Sequence, residues 1–231
     1  MSTIINDTAV WPHAPNHAAS GMAERPRSLE VEVKFLVADI EAVRQRARAG
    51  GELAAPRVHE RNVRFDTLDE ALLSRQELLR LRQDTRVRLT FKGLAAEDAA
   101  SEAKVREEIE LEIADFERMA TILERLGFQP VQSYEKFRET YHWGDVEVVL
   151  DETPFGDFVE LEGENEAALK TVAAALGLDW SRRVLANYLA LMELARRTFD
   201  LPFSDLTFAN FAAHPVDLSV LLPICMPEAE T

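Results

Sequence analysis

The chain is predicted to be an α+β protein whose roughly eight strands form one antiparallel sheet or barrel with helices packed outside it. Three observations lead there. About eight short segments alternate apolar and charged residues at the period of a strand. Longer segments carry apolar stripes at helical spacing. A strand–helix pattern near the start of the chain also recurs in its middle.

In order, EVEVKF (30–35) puts Glu30, Glu32 and Lys34 on one face and Val31, Val33 and Phe35 on the other. DIEAVRQRARAGG reads as a helix with Asp39 as its cap, Ile40, Val43 and Ala47 on one face and Gly50 as its stop. NVRFD, LLRLRQ and RVRLTFK are strands, the last two setting Arg80, Arg82, Arg86, Arg88, Thr90 and Lys92 against Leu79, Leu81, Val87, Leu89 and Phe91. KVREEIELEI sets Arg106, Glu108, Glu110 and Glu112 against Val105, Ile109, Leu111 and Ile113. DFERMATILERLG is a helix capped by Asp115, with Phe116, Met119, Leu123 and Leu126 on one stripe. YEKFRETY adds Lys136 and Arg138; DVEVVLD adds Glu147 and Asp151; DFVELEG adds Glu160 and Glu162. NEAALKTVAAALG and DWSRRVLANYLALMELARR read as two further helices, the last one long. EVEVKFLVADIEAVRQRARAGG and EIELEIADFERMATILERLG echo each other, which suggests two related β-α-β-β halves.

One such strand alone would simply face water. Solvent faces, however, usually mix Thr, Ser, Gln and Lys, whereas strand after strand here carries Glu, Asp, Arg and Lys. The helices' apolar stripes need partners, and the strands' apolar faces supply them. Helices outside then leave the ions lining an interior. A barrel of eight strands holds side chains or one small ligand, and ions are costly there unless they pair or bind something. Arginine and lysine suit phosphate oxygens, and carboxylates suit a hard divalent cation such as Mg²⁺. The interior therefore points to a metal–polyphosphate ligand.

Composition narrows the classes. The 231 residues carry a net charge of −15, so non-specific nucleic-acid binding is not expected. Cys225 is the sole cysteine, which excludes an internal disulfide and a thiolate metal site. No run is apolar enough to span a bilayer, the first residues lack the marks of a secretory signal, and a cytoplasmic location is the expectation. Residues 1–27 read as a mobile leader, 28–199 as the barrel domain, and 200–231 as a tail rich in proline and apolar residues that packs on the domain or on a partner.

EVEVK matches the ExExK signature of the CYTH superfamily, the triphosphate tunnel metalloenzymes. Arg80-x-Arg82, Lys92 in LTFK, Lys136-x-Arg138, Asp151 in VVLDE and Glu160-x-Glu162 follow it in order. Over roughly residues 29–195 the chain thus resembles that family. The resemblance implies an eight-stranded antiparallel tunnel with helices outside, acting on a triphosphate-containing small molecule with Mg²⁺ or Mn²⁺, as a monomer or homodimer. It implies metal ligation by Glu30, Glu32, Asp151, Glu160 and Glu162. Lys34, Arg80, Arg82, Lys92, Lys136 and Arg138 would grip the phosphates, with Lys34, Arg82 and Lys92 closest to the chemistry. For Arg88, Arg106, Glu108, Glu110 and Glu147 the alternatives are a place in the site or structural ion pairs, and Arg86 reads as a surface base. Many family members carry a lysine shortly before a tyrosine on the last helix. Here SRRVLAN precedes Tyr188, so either Arg182 or Arg183 substitutes or the contact is missing. Hydrolysis of a triphosphate (inorganic, thiamine or nucleoside) is the favoured activity. Cyclisation of ATP by a class IV adenylyl cyclase and a non-catalytic binding module are the alternatives.

Overall fold

The computed structural model describes residues 31–94 and 106–226. The expected leader and Glu30 lie outside the described residues, as does the side chain of Arg106. Every predicted strand forms: β1 (Val31–Val37), β2 (Glu52–Asp66), β3 (Leu78–Gln83), β4 (Val87–Leu94), β5 (Arg106–Ile113), β6 (Gln129–Trp143), β7 (Val146–Thr153) and β8 (Gly156–Gly163). A two-residue β9 (Ile224–Cys225) joins them. They build one sheet in the order β5-β4-β3-β2-β6-β7-β8-β1-β9. All neighbours are antiparallel except β1 and β9.

The expected closure into a barrel does not occur among the described residues: β5 and β9 end the sheet. The reason lies at β1. Its outer edge is bridged by Val184 at Lys34 and by β9 at Leu36 and Val37, which interrupts the continuous ladder that β5 would need. The strand read as NVRFD also begins ten residues earlier than expected, at Glu52. Register shifts at Ala55 and Val58, flanking Pro56, break the alternation that would have revealed it.

Helices α1 (Ile40–Gly50), α2 (Ala71–Ser74), α3 (Phe116–Arg125) and α4 (Glu166–Ala175) follow. Asp39, Asp115 and Asn165 cap α1, α3 and α4 with their side chains. The long last helix is interrupted. A 3₁₀ turn at Trp180–Arg182 comes first, and α5 starts only at Tyr188, where Asn187 accepts from Ala190 N. Beyond α5 (Tyr188–Thr198) come α6 (Phe208–Ala213) and a second 3₁₀ turn. Among the described residues no helix is long and apolar enough to cross a membrane.

The apolar strand faces point outward under the helices, as patterning predicted. α1 and α4 bury Val43, Ala47, Leu169 and Val172 against Val33, Phe35, Val148 and Leu161. α3 covers Val63, Phe65 and Leu81 with Phe116 and Leu123. A third cluster belongs to the inner face. Leu36, Tyr134 and Phe158 sit in phase with the ionic residues of their strands and pack with Tyr188, Leu191 and Met192 of α5. Leu206, Phe211 and Leu218 join them, so the segment after residue 200 packs on its own domain. One end of the ionic face is thereby filled with apolar side chains.

Candidate functional site

Period-two alternation delivers the charges to one face, and register sets them side by side. Glu32 lies opposite Glu162 and Lys34 opposite Glu160 across β1 and β8. Arg138 lies opposite Asp151 across β6 and β7, and Lys136 opposite Glu60 across β6 and β2. Asn62 faces Arg82, and Arg80 faces Thr90.

Asp151 is the hub and is fully buried. Arg138 Nε and Nη2 donate to its two oxygens at 2.7 and 2.6 Å, a bidentate fork, and Nη2 also reaches Glu160 Oε2 at 2.6 Å. Lys136 Nζ and the Tyr188 hydroxyl donate to Asp151 Oδ2 at 2.9 and 2.8 Å. Lys34 Nζ donates to Glu32 Oε1 at 2.9 Å and Glu160 Oε1 at 2.8 Å. Glu60 lies 3.7 Å from Lys136 Nζ and 3.5 Å from Arg82 Nε, which donates to Asn62 Oδ1 at 3.2 Å. Arg80 donates to the Tyr134 hydroxyl at 3.2 Å. The buried Nε atoms of Arg80 and Arg88 have no hydrogen-bond partner among the described residues.

Protonation follows from this packing. Burial opposes the charge on Asp151, but Arg138 and Lys136 outweigh it and hold the carboxyl well below its usual range. Burial likewise opposes ionisation of Glu60, yet Lys136 and Arg82 bring it down to about 2. For Glu160, burial and Asp151 are overcome by Arg138, Lys136 and Lys34, and its pKa is lowered. Burial disfavours the Lys34 ammonium, while Glu160 and Glu32 more than restore it and raise its pKa. Burial, with Asp151 and Glu160 nearby, keeps the Tyr188 phenol protonated, as a donor must be.

The structure brings Glu32, Lys34, Lys136, Arg138, Asp151, Glu160 and Glu162 into one contiguous group, with Arg80 and Arg82 beside it on β3. Asp151 stands among the cations rather than with the other expected metal ligands. Glu32, Glu160 and Glu162 form a trio without Asp151, their ligand oxygens within 4.8 Å of one another, and Glu160 shares Arg138 Nη2 with Asp151. Lys92 sits near the far edge of the sheet, half-buried, 2.8 Å from Glu108. Arg88 pairs with Asp84 and Glu110, Glu147 lies opposite Glu162, and Arg86 is exposed against Glu112. Arg182 and Arg183 turn away from the site. Arg182 donates to the Ile224 carbonyl and Arg183 to that of Trp180, so neither replaces the lysine of the last helix. Glu60, Asn62 and Tyr134 escaped the sequence reading. Glu60 and Asn62 share the parity of Val58 and Arg64, and that alternation was the available signal. At one mouth of the ionic face, a recess of about 260 Å³ is bounded by Pro56, Val58, Arg82, Arg88, Arg138 and Glu147.

Fold and site together define an α+β protein that keeps helices outside an antiparallel sheet and interlocked charges on its inner face. The sequence model of the CYTH domain matches residues 28–179, and the chain belongs to the CYTH domain family. A Methanocaldococcus jannaschii protein is 32% identical over 136 residues, which span 58% of this chain and 76% of that protein. A solved Pyrococcus horikoshii structure is 27% identical, with a TM-score of 0.58 over 72% of this chain and 99% of that one. A Vibrio parahaemolyticus structure shares the fold at 22% identity and TM-score 0.59, covering 72% of this chain and 98% of that one. The Methanocaldococcus and Vibrio proteins both bear the name "putative adenylate cyclase".

Proposed function

We propose that the chain is a divalent-metal-dependent enzyme that hydrolyses a triphosphate. The observation carrying this reading is the convergence of Lys34, Lys136, Arg138, Arg80 and Arg82 on one inner face, beside a carboxylate trio. Lysine and arginine at this density match the oxygens of a polyphosphate. Three carboxylates are the hard oxygen donors that Mg²⁺ or Mn²⁺ prefers. The trio also already accommodates one positive group, the Lys34 ammonium, so the donor set fits a cation.

Glu32, Glu160 and Glu162 would hold the metal, which when bound polarises phosphate oxygens and neutralises charge as it develops. The chain's own groups do the positioning that phosphoryl transfer chiefly requires. Arg138 and Lys136, locked by Asp151, present fixed donors to the phosphates. The Nε atoms of Arg80 and Arg88, without a hydrogen-bond partner among the described residues, extend that row. Water attacks the terminal phosphorus, the bond to the bridging oxygen breaks, and diphosphate and phosphate leave with release of a proton to solvent.

A second reading, formation of cyclic AMP and diphosphate from ATP, is favoured by the adenylate cyclase name of the 32%-identical relative. Incubating the purified protein with tripolyphosphate, thiamine triphosphate and ATP, with Mg²⁺ or Mn²⁺, and identifying the products separates the two. Phosphate release supports hydrolysis. Cyclic AMP as the main product from ATP would replace it.

A further inference from the structure

Two carboxylates of the trio already share one cation, and that cation belongs to the phosphate grip. Lys34 Nζ lies 2.9 Å from Glu32 Oε1 and 2.8 Å from Glu160 Oε1, with both Lys34 and Glu160 almost fully buried. A divalent ion bound by these oxygens at about 2.0–2.1 Å would stand within a few ångströms of the buried Lys34 ammonium, like charge against like charge, screened by solvent only on the half-exposed Glu32 side. Glu160 cannot swing clear to serve both, because Arg138 Nη2 holds its second oxygen at 2.6 Å. The lysine, by contrast, already has a second partner to retain when those carboxylates are taken. Its Nζ is 4.8 Å from the centre of the Tyr188 ring, a face that attracts ammonium groups. That ring is fixed by its hydroxyl bond to Asp151. Lys136 lies over the same ring at 5.2 Å, so movement in this direction brings Lys34 towards the other phosphate-gripping cations.

We infer that Lys34 is the internal competitor of the metal: without a divalent cation its ammonium occupies the Glu32–Glu160 site, and metal entry displaces it towards Tyr188, where it is free to bind phosphate. This rests on the reading of Glu32, Glu160 and Glu162 as a divalent site. It makes Lys34 the residue that sets metal affinity, and it couples metal binding to phosphate binding through one side chain. Such coupling is reciprocal by linkage.

The test is Mn²⁺ binding to the full chain without substrate, followed by the electron paramagnetic resonance of free Mn²⁺, with circular dichroism to confirm folding. Lys34→Met, which keeps length and removes charge, should bind Mn²⁺ about tenfold tighter than wild type, within the usual range for coupled sites. Lys34→Arg should show no gain, and Glu162→Gln should bind more weakly. Equal or weaker binding by folded Lys34→Met overturns the inference, and if Glu162→Gln still loses affinity the metal site itself stands. Absence of binding by both wild type and Lys34→Met overturns site and inference together. If Lys34→Met does not fold, the wild type carries the test. The ¹H–¹⁵N signal of the Lys34 ammonium, assigned with Lys34→Arg, should shift and exchange faster at saturating Mg²⁺. An unchanged signal overturns the inference.

Discussion

The pairing of β1 with β8 and the pairing of β5 with β4 are the same construction at two places in one sheet. Each joins the first strand of one half to the last strand of the other, around the adjacent 15-residue strands β2 and β6. In the first, Glu32 faces Glu162 and Lys34 faces Glu160. In the second, Glu108 faces Lys92 and Glu110 faces Thr90. Both contain a lysine–glutamate contact of 2.8 Å. The side chains of the first are 5% exposed on each partner, and those of the second are 32% and 45% exposed. Distance is therefore not what separates the two. A lysine opposite Glu108 satisfies that acid across the strands, whereas Glu32 faces another acid, an unfavourable pairing by itself, and takes its cation from Lys34 on its own strand.

The largest expected effect breaks this contrast at the acid pair. Glu32→Gln and Glu162→Gln should each lower metal-dependent turnover by more than about 100-fold, beyond the loss usual for outer partners of a metal site. Glu108→Gln should leave turnover within a few-fold of wild type. Initial rates over a Mg²⁺ titration decide it, and equal losses at all three positions would erase the distinction.

Stability comes next. Asp151→Asn removes the buried counter-charge that Lys136 and Arg138 share, leaving them only Glu60 and Glu160, and should cost about 3–5 kcal/mol in denaturant unfolding. Glu108→Gln, in the exposed pairing, should cost no more than about 1 kcal/mol.

Acid unfolding sharpens the contrast further. The folded pKa of Glu60 is about 2, below the ordinary 4.5. Its stabilising contribution is therefore complete above pH 4.5 and is lost as pH falls towards 2. Glu60→Gln should flatten that part of the stability–pH curve.

The smallest effect is on the helix-covered side of β8. There burial, and then Glu152, raise Asp157 from 3.8 to about 6. An acid with a raised pKa favours the folded state below pH 3.8, and that contribution disappears as pH rises through 6. Asp157→Asn should lessen the loss between those values, read from melting temperatures across the range.

The inner face was legible wherever a strand kept strict alternation, because period two is a local property that needs no knowledge of neighbours. Glu32, Lys34, Arg80, Arg82, Glu160 and Glu162 were readable for that reason. Glu60 was not, since Pro56 and the register shifts beside it hide the strand that carries it. Nor was the open sheet: whether β5 meets β1 depends on which distant segment claims the edge of β1. Val184 and β9 do so through backbone bonds that any side chains could make. The start of α5 was written in Asn187 but overridden by an apolar period that runs on through Val184. The apolar filling of one end came from Leu36, Tyr134 and Phe158, which alternation placed inward without revealing that α5 would meet them.

The bridge from Val184 and the two-residue β9 set an order of events for a chain leaving the ribosome. β1 emerges before the strands it pairs with: its ladder partner ends at Gly163, and among the described residues its outer edge is bridged by 184, 224 and 225. Until then the strand bearing Glu32 and Lys34 has an open edge, the exposure that invites pairing with other chains. Contacts of such sequence separation form slowly. Pulse-labelled nascent chains should protect α1 and the β2–β3 hairpin early, and the ionic face only after residues 184–225 are free.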